Sequence, residues 1–311
     1  MTEPLVDRSA LMMPMVTERF VAAAWTRGAD AIILDLEDSV PMHLKHHARR
    51  LVKDAIALVS RGGARVHVRL NHATAVEELD DVVWPGVSLL MYAKTETAQE
   101  VRLLDERISV LEEARGIPPG SIELTAIIET PRGVANAMDI VQASTRIVRF
   151  GGGAGYDMGN EYKVDIFTDT DPWLYTKGEC ELAGRAAGAA PSMSVFLPNP
   201  EGSVSDAAWT RSQALASMRC GARGGVALHP GVVEALTTSF TPAQDDLVTA
   251  RTVLLAYHRL CRTRETWTRA GDLVVDRYEA ERARELLWWG VLCRQRDDEK
   301  REALARAEGV T

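Results

Sequence analysis

The segment Ala31-Ile-Ile-Leu-Asp-Leu-Glu-Asp38 ends an apolar run with three carboxylates in four residues, Asp35, Glu37 and Asp38. Charge so crowded needs neutralising partners, either a metal ion or basic side chains, and Arg8, Arg69 and Lys94 are the candidate cations. A structural ion-pair network is the plainer reading of Glu37 and Asp38. Glu129 closes the apolar run Leu124-Thr-Ala-Ile-Ile128, and Thr130-Pro131-Arg132-Gly133 then opens a helix. Asp157 lies in the glycine-rich stretch Gly151–Asn160, where missing side chains let the backbone approach a ligand closely. An Asp that caps a loop turn is the alternative there. Mg²⁺ takes one or two carboxylates plus substrate oxygens and water. Glu129 and Asp157 are therefore the predicted metal ligands, with Mn²⁺ as a possible substitute.

Arg69 ends the alternating run Arg65-Val-His-Val-Arg-Leu70, and Asn71 follows it. A planar guanidinium donates two parallel hydrogen bonds, which suits a carboxylate or enolate oxygen. Arg8, Arg69, Asn71, Lys94 and Gly151 form the candidate substrate-binding set, and Asn199 and His229 complete the polar residues near strand ends. His229, next to Pro230, reads as structural. The glycines Gly151, Gly152, Gly153 and Gly155 do not have the spacing of a dinucleotide fingerprint, and the Gly-Lys-Ser/Thr ending of a P-loop is missing. No isolated Ser-His-Asp constellation supports a covalent route.

These side chains are positioned by a repeating pattern. Short apolar runs alternate with helical ones as far as about residue 236, the signature of βα units around a parallel sheet. The candidate strands are Ala10–Met13, Ala31–Asp35, Val66–Leu70, Ser88–Tyr92, Leu124–Glu129, Arg146–Phe150, Met193–Leu197 and Val226–Leu228. Thr17–Arg27, Lys45–Ser60 and Thr95–Arg115 read as crossover helices, the first with Thr17 as a cap. Eight such units predict an α/β fold, a (β/α)8 TIM barrel over 1–236, with chemistry at the C-terminal strand ends. Beyond Phe240 only helices are expected, Pro242–Arg262 and Tyr278–Ala307. They make 237–311 a helical extension and a possible lid between subunits. The cluster Leu286, Leu287, Trp288 and Trp289 is either a buried helix face or a subunit contact.

A chain of 311 residues with a net charge of -8 and scattered basic residues argues against phosphate-backbone binding, so a small-molecule substrate is expected. No stretch approaches the roughly 20 apolar residues that span a bilayer, and Met1–Met15 lacks a signal-peptide core. A cytoplasmic protein is the expectation. Cys180, Cys220, Cys261 and Cys293 are widely spaced and read as reduced, packed thiols.

Together these motifs resemble the citrate lyase beta subunit and malyl-CoA lyase group of the HpcH/HpaI aldolase superfamily. The marks run along nearly the whole chain: Arg8-Ser-Ala-Leu11, Gly28-Ala-Asp-Ala-Ile-Ile-Leu-Asp-Leu-Glu-Asp-Ser-Val40, Val68-Arg-Leu-Asn71, Lys94, Ile128-Glu-Thr-Pro-Arg-Gly-Val134, Phe150-Gly151 and Ala227-Leu-His-Pro230. The resemblance implies a Mg²⁺-dependent carbon–carbon lyase acting on a 2-oxo acid and an acyl thioester of CoA or an acyl carrier. It implies that Arg69 holds the thioester or enolate oxygen, that Glu129 binds Mg²⁺ and that the turn Asp35–Asp38 supports the site. It further implies a homotrimer or homohexamer in which Gly271-Asp-Leu-Val-Val-Asp276 and Glu281-Arg-Ala-Arg284 form a lid, with Asp276 as an acid given to a neighbouring subunit. Two positions depart from the family. Ala154 stands where its second metal Asp is usual, and Met15 replaces a common glycine in Met13-Pro14-Met15. Condensation, thioester hydrolysis and a non-catalytic regulatory barrel stay open beside cleavage.

Overall fold

A computed structural model of the chain describes residues 6–164, 172–196 and 198–309. Six strands, β1 (Ser9–Pro14), β2 (Ala31–Asp35), β3 (Arg65–Leu70), β4 (Val87–Tyr92), β5 (Glu123–Ile128) and β6 (Ile147–Gly152), pair in parallel and in sequence order. The seventh place is filled by two short pieces, β7 (Ala190–Pro191) on β6 and β8 (Ser194–Val195) on β9 (Gly225–Ala227), and β9 returns to β1. Only Ser192 and Met193 separate the two sheet edges, so the sheet curls round to meet itself. The expected strand Met193–Leu197 is thus displaced and split, and Leu197 lies outside the described residues. Pro191 has no N–H to give. Ser192 N–H instead donates to Phe150 O at 3.1 Å, and Ser194 N–H to Gly224 O at 3.1 Å.

Helices α1 (Glu18–Ala23), α2 (Lys45–Val59), α3 (Ala75–Val82), α4 (Ala98–Ala114), α5 (Pro131–Ala135), α6 (Ala137–Val141), α7 (Tyr156–Tyr162), α8 (Leu174–Ala186), α9 (Ala207–Arg219) and α10 (Val233–Ser239) occupy the crossovers. In α2 the spacing of Ala48, Val52, Ala55, Ile56 and Val59 lays one apolar stripe on the sheet. Thr97, not Thr95, begins α4. Its side chain accepts Glu100 N–H, and the Glu100 carboxylate accepts Thr97 N–H, a reciprocal capping box. Thr17 makes no such cap.

Strand parity decides which residues reach the barrel interior. Ala10, Ala31, Ile33, Leu89, Met91 and Val226 pack with one another inside, whereas Leu11, Ile32, Leu34, Val66, Val68, Leu90 and Leu124 join the larger core under the helices. The inward series on β2 ends at Asp35 and that on β3 at Arg69. Continued one step past β5, the same alternation reaches Glu129.

The opposite end of the barrel is closed by α12 (Arg277–Glu308), which packs against α11 (Gln244–Leu260). Between them lies a feature not expected from sequence, an antiparallel hairpin of β10 (Thr268–Ala270) and β11 (Leu273–Val275). Gly271, at φ 60°, and Asp272 make its two-residue turn. Arg296 of α12 donates to Asp30 O at 2.6 Å and Gly63 O at 2.7 Å, and the Lys300 ammonium meets Asp30 Oδ1 at 2.5 Å. Trp289 is buried and donates to Phe240 O at 2.9 Å, while Trp288 is half-exposed.

Arg8 belongs to this closure. It precedes β1, is fully buried, pairs with Asp30 through Nε at 2.8 Å and reaches Asp297 of α12 at 2.5 Å. The expectation that Arg8 binds substrate or offsets the carboxylates after β2 is therefore corrected, because its guanidinium is spent at the other end of the barrel. Breaking a buried pair leaves uncompensated charge, at a cost of about 3 kcal/mol or more. Arg8→Met is expected to lower the unfolding free energy by that amount in chemical denaturation, with kcat/KM at low temperature within about twofold of the parent. A selective loss of kcat/KM without loss of stability would contradict this placement.

Candidate active site

At the C-terminal end of the barrel, five carboxylates gather round two cations. Arg69 contacts Glu37 Oε2 at 2.5 Å, Asp38 Oδ2 at 3.1 Å and, more distantly, Asp35 Oδ1 at 3.7 Å. The Lys94 ammonium lies 2.9 Å from Glu37 Oε1, 3.6 Å from Asp38 Oδ1 and 3.3 Å from Asp157 Oδ1. Glu37 thus bridges both cations with its two oxygens. The charge around Lys94 holds its proton more tightly than usual, although burial pulls the other way, and the same balance raises Arg69.

Glu129 completes the ring. Its Oε2 accepts the backbone N–H of Lys94 at 3.2 Å, and among the described residues the carboxylate accepts no other hydrogen bond. Lys94 sits at φ 52°, in the left-handed region, at a cost on the order of 1 kcal/mol for a residue with a Cβ. Loss of water pushes the Glu129 carboxyl up to about 7; Asp157 and Glu37 add to the rise, while Arg69 and the Lys94 N–H oppose it. A carboxylate so short of positive charge is suited to a hard divalent cation, which takes oxygen ligands and leaves places for water and substrate. Glu129 and Asp157 are the residues that would hold one.

Asp157 reaches the mouth by way of the glycine turn. Gly152, Gly153 and Gly155 all have positive φ, and a Cβ on Gly152 would lie 2.2 Å from Ile128 O. That turn lets the chain cross β5 closely, pass Ala154 and enter α7, whose first turn carries Asp157. Gly151 also stands at this end, where a Cβ would come within 3.1 Å of Ser192 Cβ.

The HpcH/HpaI aldolase/citrate lyase family model matches residues 8–201. The chain belongs to that family. Citrate lyase subunit beta of Escherichia coli strain K12 is 30% identical over 264 residues, 82% of this chain and 83% of that protein. The L-malyl-CoA/beta-methylmalyl-CoA lyase of Rhodobacter capsulatus is 29% identical over 269 residues, covering 79% and 81%. Among solved structures, a citrate lyase from Burkholderia xenovorans LB400 matches with a TM-score of 0.76 at 18% identity, over 96% of this chain and 97% of that one. The CitE protein of Mycobacterium tuberculosis, solved with magnesium, acetoacetate and coenzyme A, matches with a TM-score of 0.68 at 21% identity, over 91% and 97%. At these identities the structures speak for the shared α/β barrel.

Within this family frame, several expected site residues take other duties. Asp35 is buried, and its carboxylate accepts Glu37 N–H, Ser39 N–H and the Ser39 hydroxyl, so it shapes the acidic turn rather than offering itself to substrate. Asn71, expected to bind substrate, has its side chain engaged within the protein. Its Nδ2 donates to Leu36 O at 2.8 Å and Glu78 Oε1 at 2.5 Å, and its Oδ1 accepts from Lys45. Asn199 holds its own loop through Glu201 N–H, Ser203 N–H and Asp206. His229 accepts Gly231 N–H at 3.0 Å, as a structural cap. Asp276 is not brought to the mouth within this chain; it caps α12 by accepting Glu279 N–H at 2.9 Å.

Sequence reasoning missed Ser39, Lys45 and Glu78. For Lys45 a signal existed: a lysine in the first turn of a helix opposes the helix dipole, and such a placement calls for a local acceptor.

Proposed function

We propose that this chain is a divalent-metal-dependent carbon–carbon lyase or aldolase that cleaves or forms a β-hydroxyacyl thioester with a 2-oxo acid such as glyoxylate. The observation that carries this reading is the part-buried Glu129, with a raised pKa, set beside Asp157 and framed by Arg69 and Lys94. The relatives named citrate lyase subunit beta and L-malyl-CoA/beta-methylmalyl-CoA lyase support it.

A bound Mg²⁺ would supply Lewis-acid polarisation of the oxo-acid oxygens. The chain's own groups do the rest. Arg69, fixed by Glu37, presents guanidinium N–H groups to the thioester oxygen as it gains negative charge on bond cleavage, and Lys94 adds a second positive charge at the mouth. In the cleavage direction the hydroxyl proton leaves to a base, the bond between the two carbons breaks, and its electrons pass to the thioester as an enolate. Asp276, offered by the α11–α12 arm of a neighbouring subunit in a homotrimer or homohexamer, then protonates the enolate carbon. The carrier is CoA or an acyl carrier, and the setting is cytoplasmic. Among the described residues no helix is long and apolar enough to cross a membrane.

Calorimetry with Mg²⁺ and glyoxylate together tests the proposal. Oxo-acid-dependent Mg²⁺ binding is expected for the parent and lost in Glu129→Ala and in Asp157→Ala. Absence of binding by the parent would favour a non-catalytic barrel, and binding kept by Asp157→Ala would remove that residue from the ligand set.

The same titration has a predicted pH dependence. The folded Glu129 carboxyl titrates near 7, above its ordinary 4.5, so protons compete with the ion below that value. Mg²⁺ affinity should fall about tenfold per pH unit below about 7 and level off above it. A flat profile between pH 5 and 8 would overturn the prediction that the ion binds against a raised Glu129 carboxyl.

A further inference from the structure

We infer that Lys45 is a positioning residue for the lyase site, setting Arg69 and Lys94 through the backbone of the acidic turn and the carboxylate of Glu37. The catalytic part of this inference rests on the reading given under Proposed function; the positioning part stands on geometry alone.

Lys45 is half-buried, and its ammonium donates to Leu36 O at 3.0 Å, Glu37 O at 2.6 Å and Asn71 Oδ1. An ammonium has three donors; two go to carbonyls of the acidic turn and the third to Asn71 at the end of β3. Its partners are themselves braced. Asn71 N–H donates to Glu78 Oε2 at 2.9 Å, and Thr74 Oγ1 donates to Glu78 Oε1 at 2.9 Å, with Glu78 buried on α3. Leu36 O receives Asn71 Nδ2 as well as Lys45.

The result at Glu37 is a peptide pinned on both sides. Its N–H is held by Asp35 and its C=O by Lys45. From that fixed backbone a short side chain reaches Arg69 with one oxygen and Lys94 with the other. Glu37 Oε2 is buried and lacks a well-aligned hydrogen bond despite lying 2.5 Å from Arg69. The arrangement therefore depends on where the turn is held rather than on an ideal carboxylate–guanidinium fit. Lys45 touches neither Arg69 nor Lys94 directly; it places the residue that places them. A shift of about 1 Å at a reacting group can lower a rate by up to about 100-fold.

The test compares Lys45→Met, which keeps the aliphatic stem, with Lys45→Arg, which keeps a cationic donor. Rates are measured well below the melting temperature of each variant. Lys45→Met should lower kcat roughly 10- to 100-fold with KM for the oxo acid within about threefold. Lys45→Arg should recover part of that loss. In a Glu37→Gln background, Lys45→Met should cost less than about threefold, because the route to Arg69 is already broken. A second readout needs no turnover: the Arg69 Nε–Hε nuclear magnetic resonance signal, assigned by its loss in Arg69→Lys, should move in Lys45→Met toward its position in Glu37→Gln. An unmoved signal overturns the positioning claim. Unchanged kcat in Lys45→Met, or fully additive losses with Glu37→Gln, overturns its catalytic consequence. A parent that turns over no oxo acid counts against the lyase reading alone, and the resonance still decides the positioning.

Discussion

Like charges gathered at one end of a closed barrel repel one another, and the neutralisation of Asp35, Glu37, Asp38, Glu129 and Asp157 is the constraint around which this molecule is arranged. Two cations are shared among them, and sharing dictates geometry. Glu37 has to lie between Arg69 and Lys94, the turn carrying Glu37 has to be rigid, and Lys94 adopts a left-handed backbone that turns its N–H toward Glu129. Burial raises the Glu37 carboxyl too, but Glu37 has Arg69 and Lys94 against its two oxygens, whereas Glu129, pushed up to about 7, accepts only a backbone N–H. A site built this way favours a further cation over a neutral ligand.

The barrel separates two electrostatic tasks. At the mouth buried Asp35, Glu37 and Arg69 meet part-exposed Lys94 and Asp157 and exposed Asp38, and the charges share partners. At the closed end Asp7, Arg8 and Asp30 are fully buried and tightly paired: Arg8 with Asp30 and Asp297, Lys300 with Asp30, and Asp7 with Arg65 and Arg149. Burial would raise the Asp7 carboxyl, yet Arg149, His67 and Arg65 together hold it well below the usual range. The apolar layer of Ala10, Ala31, Ile33, Leu89, Met91 and Val226 lies inside the same barrel.

The strands and the mouth residues were legible because strand periodicity and connectivity are local. Apolar runs marked β1 to β6, and a polar residue just after such a run is placed at the C-terminal end by chain direction alone. The same rule should have excluded Arg8, which precedes its strand. Asn71 shows the limit: its position was readable, but its engagement was not, since Lys45 and Glu78 reach it from two different helices. The hairpin around Gly271 carried a two-residue turn signal, overlooked because its strands are only three residues long and partly exposed. The split seventh strand depends on which edges meet when the sheet closes, and that is a property of the whole barrel.

The latch at the closed end has a consequence for the order of assembly. Arg8 finds Asp30 only 22 residues away but Asp297 a full 289 away. Closing the longer loop costs only about 2 kcal/mol more entropy, since that cost grows with the logarithm of length. Equilibrium therefore tolerates a seal made from distant segments, whereas kinetics must wait for it. The Arg8–Asp30 pair can form with the first strands, but Arg296 and Lys300 have carbonyls to grip only once the loops before β2 and β3 are in place. The native contacts of helix α12 thus presuppose those two loops, and until α12 is seated on them buried Arg8 and Asp30 lack the Asp297 and Lys300 partners that complete their pairing.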